Sequence, residues 1–186
     1  MAIYTRTGDK GETGLFSGKR VSKDSLVIEA IGSVDELNAI IGMIIAQSQI
    51  SNLKSKIYKF KLKTELIKIQ SDLFVIGASL ANPKSALKIN SEKRSRDFEA
   101  LIDEMTKKLP RLFNFILPGG GEAGAMLHLA RTVARRAERR LVTLSKKQQL
   151  DSSILIYINR LSDLLFTMAR YSNLKDKRKE TIWHGR

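Results

Sequence analysis

RTVARRAERR, Arg131 to Arg140, sets five arginines among ten residues of a segment that otherwise reads as one helix, from Glu122 to about Lys146. It directly follows a glycine-rich turn, PGGGEAG at Pro118 to Gly124. Helical spacing places Arg131, Arg135 and Glu138 on one face and Arg136 and Arg140 on another. Two guanidinium forks beside a carboxylate suit phosphate recognition, because arginine offers several fixed donors and keeps its charge. A solvated basic face or a nucleic-acid contact is the competing reading of this segment alone.

Outward from this segment the same three-and-four periodicity recurs four times. From Ser25 to about Gln49, Ile28, Ile31, Leu37, Ile41, Ile44 and Ile45 carry it, with Gly32 and Gly42 as weak points. A second helix is predicted from about Leu53 to Leu80, ending at Asn82 and Pro83 because a residue before proline is pushed out of the helical region. A third covers about Ser91 to Lys108, and a fifth about Asp151 to Asn173, with Asp151, Ser152 or Ser153 as its cap and Ile154, Ile158, Leu161, Leu165 and Met168 along one side. Residues 83–92 read as a surface loop, and Pro110 to Gly121 as a connection containing Phe113, Phe115, Ile116 and Leu117. Residues 1–24 read as a loop with a short extended piece near Ile3 and Tyr4. Five apolar stripes that must bury against one another make an all-α bundle the economical arrangement. The expected organisation is one domain over residues 1–186: a glycine-rich loop at 1–24, a helical bundle at 25–173 and a basic tail at 174–186 that carries Trp183 and His184.

A length of 186 residues suffices for a hydrophobic core without staples. The net charge of +14 points to a polyanionic partner: nucleic acid, an anionic membrane or a nucleotide triphosphate. With no cysteine, disulfides, thiolate metal sites and a cysteine nucleophile are excluded. The start, MAIYTRTGDKGETG, lacks the apolar run of a signal peptide, and no apolar stretch reaches the roughly 20 residues of a membrane span, so a soluble cytoplasmic protein is expected.

Thr5 to Arg20, TRTGDKGETGLFSGKR, combines four glycines, several hydroxyls, Lys10, Lys19 and Arg20, the ingredients of a phosphate cradle. It is no Walker A loop, since Gly14 to Arg20 has three residues between its glycines and Arg where a magnesium-binding hydroxyl should stand. A mobile basic terminus is the bland alternative. In the first helix Ser33, Asp35, Glu36 and Asn38 interrupt the apolar pattern, and at least one acid is open to a partner contact. In the fifth, Asn159, Asp163, Phe166 and Arg170 share a face, and Asn159 can both donate and accept toward a ribose or phosphate oxygen. His128 reads as a packed neutral histidine, and two isolated histidines make no transition-metal site.

Taken together, the segments resemble the PduO-type adenosyltransferases that convert cob(I)alamin and ATP into adenosylcobalamin. The resembling blocks are YTRTGDKGETGLFSGKRVSKD at Tyr4 to Asp24, EAIGSVDELNAIIG at Glu29 to Gly42, ELIKIQSDLFVIGASLANP at Glu65 to Pro83, FILPGGGEAGAMLHLARTVARRAERRL at Phe115 to Leu141 and YINRLSDLLFTMARYSN at Tyr157 to Asn173. The resemblance implies a five-helix bundle of ferritin-like up-and-down type, assembled as a homotrimer with each ATP site at a subunit interface. It implies ATP binding by Thr5, Thr7, Gly8, Asp9, Lys10, Gly11, Lys23, Arg135, Glu138 and Asn159. Arg131 resembles an arginine that pairs with an acidic residue of a neighbouring subunit, and Asp35 matches that acid. Phe115 resembles the aromatic packed against the lower axial face of the corrinoid, and Trp183 is the candidate for the aromatic that closes the pocket.

The implied reaction is attack of Co(I) on the 5' carbon of the ATP ribose with release of triphosphate. Lys10, Arg135 and a magnesium ion on the phosphates would stabilise the leaving charge, and Phe115 would exclude water and the lower base from cobalt. No protein-built metal cluster is implied. A flavoprotein reductant and an adenosylcobalamin-dependent enzyme are the implied further partners, with neither nucleic acid nor membrane among them. Two readings compete: a non-catalytic helical nucleic-acid binder, and a phosphate-sensing regulator that binds ATP without turning it over.

Overall fold

The structure, a computed structural model, describes residues 4–50, 56–84 and 86–185. It consists of a small two-stranded sheet and five helices: β1 (Glu12–Gly14), β2 (Arg20–Ser22), α1 (Leu26–Ile50), α2 (Lys56–Ala81), α3 (Ser91–Thr106), α4 (Glu122–Ser145) and α5 (Ser152–Lys175). The helices fall where the apolar periodicity puts them. α1 runs unbroken through Gly32 and Gly42, because its buried stripe of Leu37, Ile41 and Ile44 outweighs the cost of about 1 kcal/mol per glycine. The expected start of α2 at Leu53 lies outside the described residues.

The N-terminal segment differs from expectation. Tyr4 is not in a strand, and Ile3 lies outside the described residues. The extended piece is instead an antiparallel hairpin, with Glu12 opposite Ser22, Thr13 opposite Val21 and Gly14 opposite Arg20. Its five-residue connection, Leu15 to Lys19, carries Gly18 at φ 84°, a conformation that costs glycine little.

Side chains fix the starts of α3 and α5. The Asn90 side chain accepts from the Lys93 amide at 3.0 Å, and Asp151 accepts from the Ser153 amide at 2.9 Å, which also holds the Asp151 carboxyl below its ordinary pKa. α4 has no side chain of its own at its start. The Gly121 amide donates to Asn173 Oδ1 at 3.0 Å, so the end of α5 caps the beginning of α4.

α4 packs between α1 and α5, α2 lies against the outer side of α1, and α3 lies against α5. Arg140 pairs with Glu29 at 2.9 Å and Arg136 with Glu36, so α1 and α4 run antiparallel. Asn38 and Gln70 exchange side-chain amide bonds with each other's carbonyls, at 3.4 and 3.2 Å, across α1 and α2. The bundle closes between α2 and α3 through Arg94, which reaches Asp72 at 2.6 Å and Glu65 at 2.8 Å, while Tyr157 of α5 donates to Asp72 at 2.9 Å. Burial acts to lower the Arg94 guanidinium pKa, but its bonds to the two carboxylates outweigh that and leave it raised. Leu37, Ile41, Ile69, Leu73, Leu141, Ile158 and Leu161, all fully buried, fill the centre.

Candidate active site

The N-terminal loop closes on itself. Arg20 spans it, donating to the Thr7 carbonyl at 2.7 Å and to Glu12 at 3.2 Å. Thr5 and Thr7 share a hydroxyl bond of 2.8 Å, and the Lys23 amide donates to the Gly11 carbonyl at 2.8 Å. A Cβ on Gly8 would stand 3.2 Å from Lys23 Nζ, so the Lys23 ammonium sits directly over the Gly8 backbone. The amides of Asp9 and Gly11 make only long bonds, 3.4 and 3.3 Å, to the carbonyls of Arg6 and Gly8. Such bonds exchange readily for a stronger anionic acceptor. The structure thus brings Thr5, Thr7, Gly8, Asp9, Gly11 and Lys23 together. Lys10 lies exposed in the same turn.

On α4 the two arginine faces have different fates. Arg136 and Arg140 are engaged by acids of α1, so of the pair Asp35 and Glu36 it is Glu36 that is drawn into a contact within the chain. Asp35 is exposed and makes no ion pair among the described residues. Glu138 accepts from Asn159 Nδ2 at 2.8 Å, which joins α4 to α5, and exposed Arg135 stands one turn before it.

Arg131 is half-buried, and its Nε has no partner among the described residues. Burial, together with the charge of Arg135, lowers the Arg131 pKa. One turn earlier His128 is 2% exposed, both its ring nitrogens lack partners among the described residues, and its ring meets Phe166 edge-on at 5.8 Å. It is the packed neutral histidine that its neighbours suggest: burial first, then Arg131, pushes its pKa down.

At the other end of α4 the tail folds back along the connection from α3. Ile116 and Ile182 form an antiparallel bridge, the Trp183 amide donates to the Phe115 carbonyl at 2.8 Å, and the Leu117 amide to the Thr181 carbonyl at 2.9 Å. Side chains alternate across such a ribbon. Phe115 and Trp183 accordingly meet on one face, centroids 6.3 Å apart and ring planes at 65°, with Phe115 78% exposed.

Two anchors hold this ribbon, and neither is apparent from residue types alone. Arg170, which shares a sequence-predicted face with Asn159, turns inward, gripping Glu180 of the tail at 2.9 Å and the Pro110 carbonyl at 3.0 Å. Asn173 clamps the glycine turn, donating to the Gly119 carbonyl at 2.9 Å while accepting from Gly121. Gly120 adopts φ 104°, and a Cβ on Gly124 would fall 2.0 Å from Asn173 Oδ1. The run of glycines answers to this asparagine. The signal was a glycine cluster with an amide more than fifty residues away, which spacing does not connect.

The loop and the Phe115–Trp183 pair, the two candidate regions, lie apart within one chain. The loop precedes α1, at the Arg140 end of α4, whereas Phe115 precedes the start of α4. The nineteen residues from Glu122 to Arg140 rise roughly 28 Å. Arg135, Glu138 and Asn159 lie nearer the loop end, and no hydrogen bond or ion pair among the described residues joins them to the loop.

The cobalamin adenosyltransferase family model matches residues 3–172. The chain is 44% identical over 177 residues to a corrinoid adenosyltransferase of Bacillus subtilis (strain 168), covering 94% of this chain and 88% of that one. It is 42% identical over 188 residues to the corrinoid adenosyltransferase MMAB of Homo sapiens, covering 97% and 72%. Among solved structures, a phenylalanine-to-alanine variant of the PduO-type ATP:corrinoid adenosyltransferase from Lactobacillus reuteri, complexed with cobalamin and ATP, superposes with a TM-score of 0.90 at 35% identity, covering 99% of this chain and 100% of the other. An arginine-to-lysine variant of the same enzyme complexed with ATP gives 0.87 at 37% identity, covering 98% and 100%.

Proposed function

The chain belongs to the cobalamin adenosyltransferase family, and from that premise we propose how its residues transfer the 5'-deoxyadenosyl group of ATP to Co(I) of cob(I)alamin, giving adenosylcobalamin and triphosphate. The Co(I) electron pair forms the bond to C5', and the C5'–O bond breaks with its electrons on the triphosphate. The nucleophile carries no proton, so no general base is required. The protein's contribution is alignment and the stabilisation of charge growing on the leaving group.

Lys10 and Lys23, with the amides around Gly8 and Gly11, surround the triphosphate, and Thr5, Thr7 and Asp9 complete the loop's polar lining. Arg135 places a guanidinium toward the breaking bond, while Glu138 and Asn159, already bonded to each other, address the nucleoside end. No group of three or more His, Asp or Glu side chains able to hold a metal occurs among the described residues. A magnesium ion, which on a nucleotide needs no such group, would be held mainly by phosphate oxygens, where it would supply charge neutralisation.

The observation that carries this reading is the open Phe115–Trp183 platform held by the tail. An ATP sensor has no use for it. An apolar wall under the corrin keeps water and the lower base from cobalt, and loss of that axial donor lowers the orbital that accepts the electron in Co(II) reduction. A nucleic-acid binder is disfavoured because Arg136 and Arg140, two of the five arginines in the stretch, are matched by Glu36 and Glu29.

We place the complete site between copies in a homotrimer of ferritin-like bundles. The roughly 28 Å between the loop end and the platform end of one chain supports this, as do the Nε of Arg131, without a partner among the described residues, and exposed Asp35, without an ion pair among them. Arg131 of one copy then pairs with Asp35 of the next. Within a cell, a flavoprotein reductant would supply the electron and an adenosylcobalamin-dependent enzyme would receive the product. The deciding experiment is anaerobic incubation of the protein with magnesium-ATP and chemically reduced cob(I)alamin, following the corrin spectrum and resolving triphosphate from pyrophosphate and phosphate. Stoichiometric triphosphate with the adenosylcobalamin spectrum is expected, and intact ATP binding with no conversion would sink the reading.

A further inference from the structure

Placing Phe115 beneath cobalt leaves one part of the substrate without a position. The nucleotide loop of cobalamin, a dimethylbenzimidazole on a ribose joined through a phosphodiester, is expelled from the metal and must go somewhere. On the reverse face of the Phe115–Trp183 ribbon, where Ile116 and Ile182 point, lies a cavity of about 360 Å³. That volume falls in the range of small-molecule sites, about 300–1,000 Å³. Its walls are of two kinds. Leu112, Phe113, Ile116, Leu174 and Ile182 are apolar, and Arg111, Arg178 and Lys179 are cationic.

We propose that this cavity receives the displaced nucleotide loop of the corrinoid, with the benzimidazole against the apolar wall and the phosphodiester held by Arg111 and Lys179. The inference rests on the adenosyltransferase reading above. The charge balance favours it: the acid in the wall, Glu180, is already bound through both oxygens to Arg170 at 2.9 and 3.1 Å. Asp176 stands near Arg178, which leaves Arg111 and Lys179 as exposed cations without an ion pair among the described residues. The Arg111 guanidinium lies over the Phe113 ring at 5.2 Å, a stacking that leaves its in-plane donors free for phosphate oxygens. Platform and cavity are opposite faces of one ribbon, so a tail leaving the lower face of the corrin at Phe115 needs only to pass the ribbon's edge.

The test compares cobalamin with cobinamide, the same corrin ring without the nucleotide loop. Anaerobic calorimetry in the presence of magnesium-ATP would measure binding of cob(II)alamin and cob(II)inamide to the wild type, to Arg111→Ala/Lys179→Ala, to Arg111→Glu and to Phe115→Ala. The double variant is expected to bind cob(II)alamin about tenfold more weakly, the loss of charge-assisted contacts to one phosphate, and cob(II)inamide unchanged. Arg111→Glu should go further in the same direction, and Phe115→Ala should weaken both corrinoids. Equal effects of the cationic variants on the two corrinoids, or none on either, would overturn the inference while the wild type still binds both. A wild type that binds neither corrinoid would remove the adenosyltransferase reading and this inference with it.

Discussion

Asn159 Nδ2 donates to Glu138 Oε1 at 2.8 Å across the contact of α5 with α4. The bond fixes which side of the Asn159 amide faces outward, leaving its carbonyl oxygen and second N–H for a ligand. Asn159→Ala should raise the KM for ATP about tenfold, the scale of one lost polar contact in a site. Glu138→Ala should do nearly the same by freeing the amide to turn. The double variant should cost less than the sum, because the two side chains act as one unit. Steady-state kinetics on the four proteins check this, and strict additivity would show that the residues touch ATP independently.

Phe115 is 78% exposed yet positioned by the pairing of its carbonyl with the Trp183 amide. If its role is to exclude an axial ligand, its loss should tell mainly where Co(II) must be reduced. Phe115→Ala should slow the Co(II)-dependent reaction about a hundredfold or more, equivalent to roughly 2.7 kcal/mol of barrier, while pre-reduced Co(I) is converted within about tenfold of the wild-type rate. Trp183→Ala should show the same pattern at smaller amplitude. Equal losses by both routes would mean that Phe115 shapes the pocket without governing coordination.

Arg131 and Asp35 allow a charge-swap test of the interface. Arg131→Asp and Asp35→Arg should each lower the trimer fraction in sedimentation, by leaving a half-buried charge unpaired or by placing like charges together. Combining them should restore assembly. A double variant no better than the singles would show that the two residues do not meet across copies.

The helices were legible because apolar periodicity is a local property, and Leu37, Ile41, Ile158 and Leu161 are buried as that periodicity demands. Glu138 and Asn159 could be paired from the resemblance and are found bonded. What the sequence concealed depends on distant partners. The hairpin at Glu12–Gly14 and Arg20–Ser22 is too short for alternation to show, and Arg20 holds it through Thr7 and Glu12. Arg170 shares a predicted face with Asn159, but its reach to Glu180 exists only once the tail has folded back. The fates of Asp35 and Glu36, adjacent in sequence, are separated by which one faces Arg136.

The Gly124–Asn173 contact predicts a coupled loss of stability. In Gly124→Ala the new Cβ would meet Asn173 Oδ1 at 2.0 Å, so the amide must leave and both its bonds to the glycine turn are lost. The expected cost is about 1–3 kcal/mol, from two hydrogen bonds and a helix start left uncapped. Asn173→Ala alone should cost a similar amount, and adding Gly124→Ala to it should cost little more, since the clash is gone. Thermal unfolding of the three variants reads this directly, and a fully additive pair would mean that the turn is held by other contacts.

His128 predicts a pH effect with a definite sign. Burial, and after it the charge of Arg131, depresses its folded-state pKa, while Glu180 acts the other way. The unfolded chain carries this histidine at about 6.5, so below that pH the unfolded state binds a proton that the folded state refuses. Stability from this group is therefore complete above about pH 6.5 and declines as pH falls toward the folded pKa, with a slope of up to about 1.4 kcal/mol per pH unit. His128→Leu keeps the packing against Phe166 and removes the titration. Melting temperatures from pH 8 to 5 should show the wild type losing stability faster than His128→Leu below pH 6.5, and parallel curves would mean that the folded protein accommodates the charged ring.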